Sequence, residues 1–446
     1  MEQQHMFTNR MIRNLLVPVV LEQILNSIMG TADTMMVSNV GSAALSAVSL
    51  VDSINILLIQ AFSALAAGGA IVCAQYIGQK NYEKANMSAR QVLFIITAIS
   101  VAVSAVCLIF QKPLLRLIFG AVEADVMHAS ETYFFYTALS FPFIASYDAA
   151  ASIFRAQENT KGPMIISMIS NIMNIGGNAI LIWVFHLGVA GAAISTLVSR
   201  IFCAVVVLYQ LRKDRQPIVV REYLKIRPDW SMIGRILGLG IPSGIENSMF
   251  QLGKLAIQST VSTLGTAAIA AQAMTNILEN LNGIAAIGVG VGLMTIVGQC
   301  LGAGRKDEAV YYIKKLCVIA EIVIIVSCLT VYALARPVTI LGGMEKSSAA
   351  MCIHMITWIT IVKPLVWTMA FVPGYGLRAA GDVKFSMITS CCTMWACRFC
   401  LCVFLIRVLG FGPMGVWIGM FADWTVRGII FTWRFHSRRW LEHKVI

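Results

Sequence analysis

The chain has 446 residues, 58% of them hydrophobic and only 13% charged, with a formal net charge of +12. Soluble domains carry roughly 25% charged and about 45–50% apolar residues, so a water-soluble fold could not hide this much apolar surface. The positive balance could suggest nucleic acid, but Arg and Lys sit in short gaps between apolar stretches, which excludes a nucleic-acid face and points to membrane orientation.

The opening MEQQHMFTNRMIRN is polar, and the apolar stretch behind it runs past the 7–15 residues typical of a signal core, so no cleavable signal is expected. Apolar stretches then follow near 11–36, 44–74, 91–112, 128–154, 164–186 and 188–211. A charged stretch separates them from a second set near 232–260, 266–300, 309–334, 347–377, 385–408 and 412–435. Each is long enough to cross a bilayer as a helix, which predicts an all-α polytopic membrane protein with twelve transmembrane helices. The expected domains are a six-helix lobe over 1–211, a linker over 212–231, a second six-helix lobe over 232–435 and a tail over 436–446.

Basic residues occupy alternate gaps. They fall at Lys80, Lys84 and Arg90, through the linker from Arg212 to Arg227, at Arg305 and Lys306, and in the tail, while the gaps near 37–43, 186–188 and 261–266 have none. The positive-inside rule then places both termini and the linker in the cytoplasm of a cell carrying the protein in its inner membrane. Twelve cysteines lie almost entirely within apolar stretches and read as reduced, membrane-buried hydrophobes. Cys391-Cys392 and Cys397-x-x-Cys400 have no second pair or His nearby, so neither metal nor redox chemistry is expected of them.

Shifting the sequence by 224 brings Pro18 onto Pro242, Glu22 onto Glu246, Gly41 onto Gly265, Gly68 onto Gly292 and Gln75 onto Gln299. At 223, Arg155-Ala156 meets Arg378-Ala379 and Lys161 meets Lys384; Gly191 meets Gly415 at 224 again. Matched Pro, Glu, Gln, Arg and Lys at one steady offset mark a tandem duplication. Six helices per repeat make the two repeats parallel, an architecture of secondary transporters. No G-x-x-x-x-G-K-[ST] loop is present, so no ATPase engine is built in, and Gly288-x-Gly290-x-Gly292 lies in an apolar helix, where close helix packing explains it.

An ionisable side chain at membrane depth costs roughly 2.5–3.5 kcal/mol on insertion scales and asks for a reason. Asp33 lies well inside the first helix and has no partner in the repeat, where the shift lands on Ile257. Its bland reading is a helix-end hydrogen bond; its functional reading is a coupling acid. Glu22, shared with Glu246, reads first as scaffold. Asn171, Asn174 and Asn178 form a stripe on the fifth helix, read either as interhelical glue or as a row of oxygens beside Asp33, to which Thr196 could add a hydroxyl. Asp148 and Tyr147 end an aromatic-rich run and, with Glu246 and Glu279, are candidates for a substrate cavity, since an acid beside aromatic faces suits a lipophilic cation. Asp52, Lys254, Glu321, Lys363 and Arg398 are further charges within the apolar stretches.

The stretches ADTMMVSNVGSAALSAV, AQYIGQKNYEKA, IFRAQENTKGPM, NIMNIGGNAILI and GVAGAAISTLVSR, with second-half echoes GQCLGAGRKDEA and GLRAAGDVKFSM, resemble the multidrug and toxic compound extrusion (MATE) transporters over essentially the full length. The resemblance implies a V-shaped pair of six-helix lobes exporting organic cations or amphiphilic drugs in exchange for H⁺ or Na⁺ by alternating access. It also implies that Asp33 is the coupling acid, with Asn174, Asn178 and Thr196 around it. Many members carry Asp where Asn178 stands, so this site has one carboxylate fewer. A branch with acids in helices 7 and 10 is argued against by a tenth helix that contains no acid and carries Lys363 instead. The expected partners are small organic cations or amphiphiles and the lipid bilayer, the expected state is a monomer, and no cofactor is expected beyond the coupling ion. The competing reading is a flippase for a lipid-linked oligosaccharide or similar amphiphile, favoured if Lys254, Lys363 and Arg398 line a cavity. An enzyme lacks a nucleophile or metal constellation, and a channel fits the duplicated halves poorly.

Overall fold

In the computed structural model, which describes residues 5–446, the chain is a succession of helices joined by short turns and, between residues 211 and 230, by a longer linker. The first repeat comprises α1 (Asn9–Ser38), α2 (Ser42–Gly78), α3 (Tyr82–Ile109) and a short α4 (Gln111–Phe119). The predicted fourth span is two helices, α5 (Ala124–Leu139) and α6 (Phe141–Ala156), broken at Ser140, with Pro142 in the first turn of α6. The fifth, α7 (Lys161–Asn178), continues through a π segment, Ala179–Val184, and α8 (Val189–Leu211) closes the repeat. The second repeat runs through α9 (Trp230–Val261), α10 (Thr266–Gly302), α11 (Lys306–Leu341) and α12 (Lys346–Ala379). Its fifth span is α13 (Val383–Thr393), a π segment (Met394–Cys400) and α14 (Leu401–Arg407), followed by α15 (Met414–His436).

All twelve expected spans are therefore helical. Nine of the described helical spans are long and apolar enough to cross a membrane by length and composition alone. The other three are the broken fourth span and α9 and α15, which carry Glu246 and Lys254, and Asp423 and Arg427.

Local chemistry sets the ends. Gly41 and Gly265 precede α2 and α10 with φ of 144° and 98°, a region where a side chain is strained, so the glycine recurs in both repeats. Asn81 caps α3 by accepting from the Lys84 amide at 3.2 Å. Asp229 caps α9 by accepting from Ser231 and Met232 at 3.1 and 3.3 Å.

The chain divides into two compact units, one of Leu25–Gly244 (the N unit) and one of the residues up to Ile24 with Ile245–Val445 (the C unit). The lobes expected from the sequence were bounded at 211 and 232, in the linker; these units are bounded within α1 and α9, a few residues beyond Pro18 and Pro242. The physical reason lies in how each helix begins. In the N unit, the start of α9 packs on α2 so closely that a Cβ at Gly68 would lie 2.6 Å from the Gly240 nitrogen. In the C unit, the start of α1 packs on α10, where a Cβ at Gly288 would lie 2.9 Å from the Val20 Cα and one at Gly292 would lie 2.3 Å from Leu16 Cδ2. The glycines thus serve the close helix approach expected of them. A proline in each helix removes one backbone hydrogen bond near the transition.

The linker is not a free tether. Ile218 and Val220 are fully buried in the N unit. Asn86 of α3 accepts from the Val219 amide at 2.8 Å, and Gln91 accepts from Asp229 N at 3.0 Å while donating to Arg227 O at 2.8 Å. In the C unit, the Met6 and Phe7 amides donate to Glu308 and to the Tyr312 hydroxyl of α11, each at 2.8 Å.

Candidate functional site

The N unit assembles a polar cluster from α1, α7 and α8. Asp33 of α1 accepts a hydrogen bond from the side-chain amide of Asn178, the last residue of α7 before its π segment. That amide also faces Asn174 Oδ1 at 3.3 Å, and Asn174 donates to the Thr196 hydroxyl at 3.3 Å, which in turn donates to the Ala192 carbonyl at 3.0 Å. Asn178 is 0% exposed, and its carbonyl Oδ1 has no partner among the described residues. A buried amide oxygen without a donor is rare and calls for an explanation. Here it lies on the same side chain whose amide nitrogen donates to the Asp33 carboxylate, so the cluster offers a carboxylate and a second oxygen that no donor satisfies. Such a pair can take up a proton or a small hard cation.

A second acid stands nearby. Asp52 of α2 accepts from the Tyr133 hydroxyl at 3.1 Å and from Asn55 at 3.2 Å, and buried Asn55 Oδ1 likewise lacks a partner. Arg200, one turn beyond Thr196, lies within Coulombic reach of Asp33, Asp52 and Asp148 and donates to Ser140 at 2.7 Å. Asp33 and Asp52, two carboxylates against one guanidinium, leave the cluster acidic.

The C unit holds the opposite arrangement. A cavity of about 210 Å³ is lined by Lys254, Lys363, Arg378, Arg398 and Arg427, with Glu246 and Glu279 and a wall of aromatic rings. Lys363, 0% exposed, donates to Asn282 Oδ1 at 2.5 Å, to Glu279 Oε1 at 2.6 Å and to the Glu279 carbonyl at 3.2 Å. Arg378 pairs with Glu246 at 2.6 Å. Arg398 and Arg427 share one fully buried acid, Asp423, at 3.3 and 2.9 Å. Both stack over Phe250, at 4.9 and 5.0 Å from its ring centre.

The structure therefore brings Asp33, Asn174, Asn178 and Thr196 together as the sequence analysis grouped them. Asn171, of the same stripe, instead donates to Asn26 of α1 at 2.8 Å, as does Ser167. The cavity candidates do not fall in one unit. Tyr147 is buried in the N unit and donates to the Pro163 carbonyl at 3.0 Å, with Asp148 beside it in sequence, whereas Glu246 and Glu279 line the C-unit cavity. Glu22 and Asp33, eleven residues apart on α1, are likewise divided between the units. Asn26, Asn55 and Arg200 were missed; Asn26 had a signal, lying seven residues or two turns before Asp33 on the same face. All twelve cysteines are free thiols, and no group of three or more metal-ligating side chains occurs among the described residues.

A duplicated helical chain with many apolar spans and charged groups buried in each half is built as a membrane transporter. The MatE family model matches it twice, over residues 18–180 and 242–404, with both starts and both ends offset by the 224 residues of the internal repeat. The chain belongs to the MatE family, the multidrug and toxic compound extrusion transporters. It is 26% identical to an uncharacterized transporter, YisQ, of Bacillus subtilis, covering 95% of this chain and 93% of that one. It is 25% identical to the probable multidrug resistance protein YoeA of the same organism, covering 96% and 94%. Among solved structures, it superposes with a TM-score of 0.90 and 18% identity on a MOP superfamily transporter from Pyrococcus furiosus, reported to have a binding pocket of reverse polarity, covering 98% of this chain and 97% of that one.

Proposed function

We propose that the protein is a secondary antiporter that exports small amphiphilic organic compounds, organic cations among them, in exchange for H⁺ or Na⁺ by alternating access, with Asp33 as the coupling acid. The observation that carries this reading is the buried cluster in which Asn178 donates to the Asp33 carboxylate through its amide nitrogen and leaves its carbonyl oxygen without a partner among the described residues. A carboxylate alternately occupied and vacated by a cation is what an exchanger requires. Asn174 and Thr196 orient Asn178 through the bonds described above, and Arg200 limits the negative charge that an empty site presents. The acidic balance of this cluster supports cation occupancy, and YoeA's description as a probable multidrug resistance protein supports the export reading.

The basic gaps at 80–90, 212–227 and 305–315 support an inner-membrane orientation with both termini cytoplasmic. The deciding experiment is ethidium uptake into everted vesicles under an imposed proton gradient and, separately, an imposed Na⁺ gradient. One gradient should drive uptake, and Asp33→Asn should abolish that drive while leaving expression and thermal stability nearly unchanged. Undiminished gradient-driven uptake by Asp33→Asn would overturn the assignment.

A further inference from the structure

We propose that the C-unit cavity binds the anionic group of an amphiphilic substrate. This rests on the export reading above and adds to its substrate class amphiphiles bearing a carboxylate, phosphate or sulfonate. The charge count is the first observation: five cationic side chains line the cavity, against three carboxylates in contact with them, counting Asp423 behind Arg398 and Arg427. Lys254 is the surplus most open to a ligand, being exposed and making no hydrogen bond or ion pair with the described residues. One acid serves two guanidiniums at Asp423, so a second positive charge there is also uncompensated.

The hydrogen-bond inventory is the second, independent observation. Nε of Arg378 and of Arg427 and the Trp424 indole nitrogen are buried without a hydrogen-bond partner among the described residues, and all three residues line this cavity. Each of those atoms is a donor, and none can accept. The N-unit cluster is the reverse, its partnerless amide atoms being the oxygens of Asn55 and Asn178. A site with surplus donors and surplus positive charge is complementary to an oxyanion, which accepts several charge-assisted bonds and forks onto Arg bidentately. Phe250, Trp367 and Phe371, rings on the same wall, supply the surface for an apolar body.

The test compares two water-soluble ions with one ring system and opposite charge, naphthalene-1-sulfonate and 1-naphthylmethylammonium, titrated calorimetrically into the full-length protein in phosphatidylcholine nanodiscs. The sulfonate should bind at least tenfold more tightly than the ammonium. Lys254→Gln should weaken the sulfonate about tenfold, the scale of one charge-assisted hydrogen bond, and leave the ammonium unchanged. Two competition arms separate the sources of such a headgroup. Inorganic sulfate should compete only weakly, because it lacks the apolar body. Nanodiscs doped with phosphatidic acid will lower sulfonate affinity if a lipid is the resident substrate and leave it unchanged if a soluble amphiphile is; either result requires an anion site. Equal or tighter binding of the ammonium, or sulfonate binding indifferent to Lys254→Gln, would overturn the proposal. Asp33→Asn should retain sulfonate binding, so failure of the coupling assignment and failure of the anion site remain distinguishable.

Discussion

Replacing Glu279 with Gln removes the only carboxylate among the described residues that touches Lys363 and keeps the side chain's shape. Lys363 is fully buried and has three acceptors, of which the Glu279 carboxylate at 2.6 Å alone carries charge. The Trp367 and Trp424 rings, 5.3 and 5.7 Å from the ammonium, recover only part of that interaction. Breaking a buried ion pair from one side costs about 3–5 kcal/mol, because the remaining charge is left uncompensated. Glu279 is itself 19% exposed to the cavity, which places the expected loss toward the lower end of that range. Lys363→Met should cost less. The stranded Glu279 carboxylate keeps Lys254 and Arg398 within Coulombic reach, and its partial exposure admits water. In the double variant both charges are gone, so the two losses should not add; the coupling energy expected for a contacting pair is roughly 1–3 kcal/mol. Thermal unfolding of the detergent-purified protein, followed by the soluble monodisperse fraction, measures all four corners of the cycle. Wild-type stability in Glu279→Gln, or additive losses in the double variant, would refute the reasoning.

Thr196→Val keeps the side-chain volume and removes the acceptor that orients Asn174; it should lower ion-driven transport severalfold with little effect on thermal stability, and loss of stability without loss of coupling would make Thr196 merely structural. Gly68→Val should abolish accumulation of folded protein, since its Cβ would stand 2.6 Å from a backbone nitrogen, whereas Gly234→Ala, with nothing within 4 Å, should be neutral or slightly stabilising; the yield of monodisperse protein reads both. A single cysteine at 213 in a cysteine-depleted variant should react only with a membrane-permeant maleimide in intact cells, and ready labelling by an impermeant one would reverse the orientation. Export of a monoanion against entry of one proton moves two positive charges inward. An inside-negative potential imposed with K⁺ and valinomycin should therefore accelerate it, at about 2.3 kcal/mol per charge per 100 mV; indifference to the potential would exclude that stoichiometry.

The fold was largely legible because hydropathy and duplication are both long-range patterns. A 224-residue offset survives local errors in helix ends, and the same glycine at 41 and 265 announces the same positive φ. The unit boundaries were not legible. Composition changes at the linker, but packing changes inside α1 and α9, where small residues admit a close approach; Gly68 and Gly292 were visible as a repeat pair, yet nothing in either named its partner helix. The apolar island Ile218-Val219-Val220 in the charged linker did signal a docked segment and went unread. Asp33, Asn174, Asn178 and Thr196 were found together because helical spacing and resemblance agreed. Asp52 with Tyr133, and Lys363 with Glu279, are pairings across distant helices that spacing along one helix cannot show.

The two polar sites share one rule, which the duplication exposes. Charges common to both repeats serve the scaffold: Glu246 binds Arg378, and each has an identical counterpart, Glu22 and Arg155, in the first repeat. The remaining site charges have none. At the 224 offset Lys254 meets Gly30, Glu279 meets Asn55, Asp423 meets Ser199 and Arg427 meets Cys203, while Asp33 meets Ile257 and Arg200 meets Trp424. After duplication both copies inherit the same packing constraints, so a buried charge present in only one copy is not required by the helix arrangement as such. It must be supported by something specific to that half. Donors surplus at one site and acceptors surplus at the other then follow as two specialisations of a single ancestral bundle, one suited to an anion and one to a cation. On this argument the half-specific charges are where substitutions should alter what is moved, and the repeated ones are where they should alter whether the protein folds.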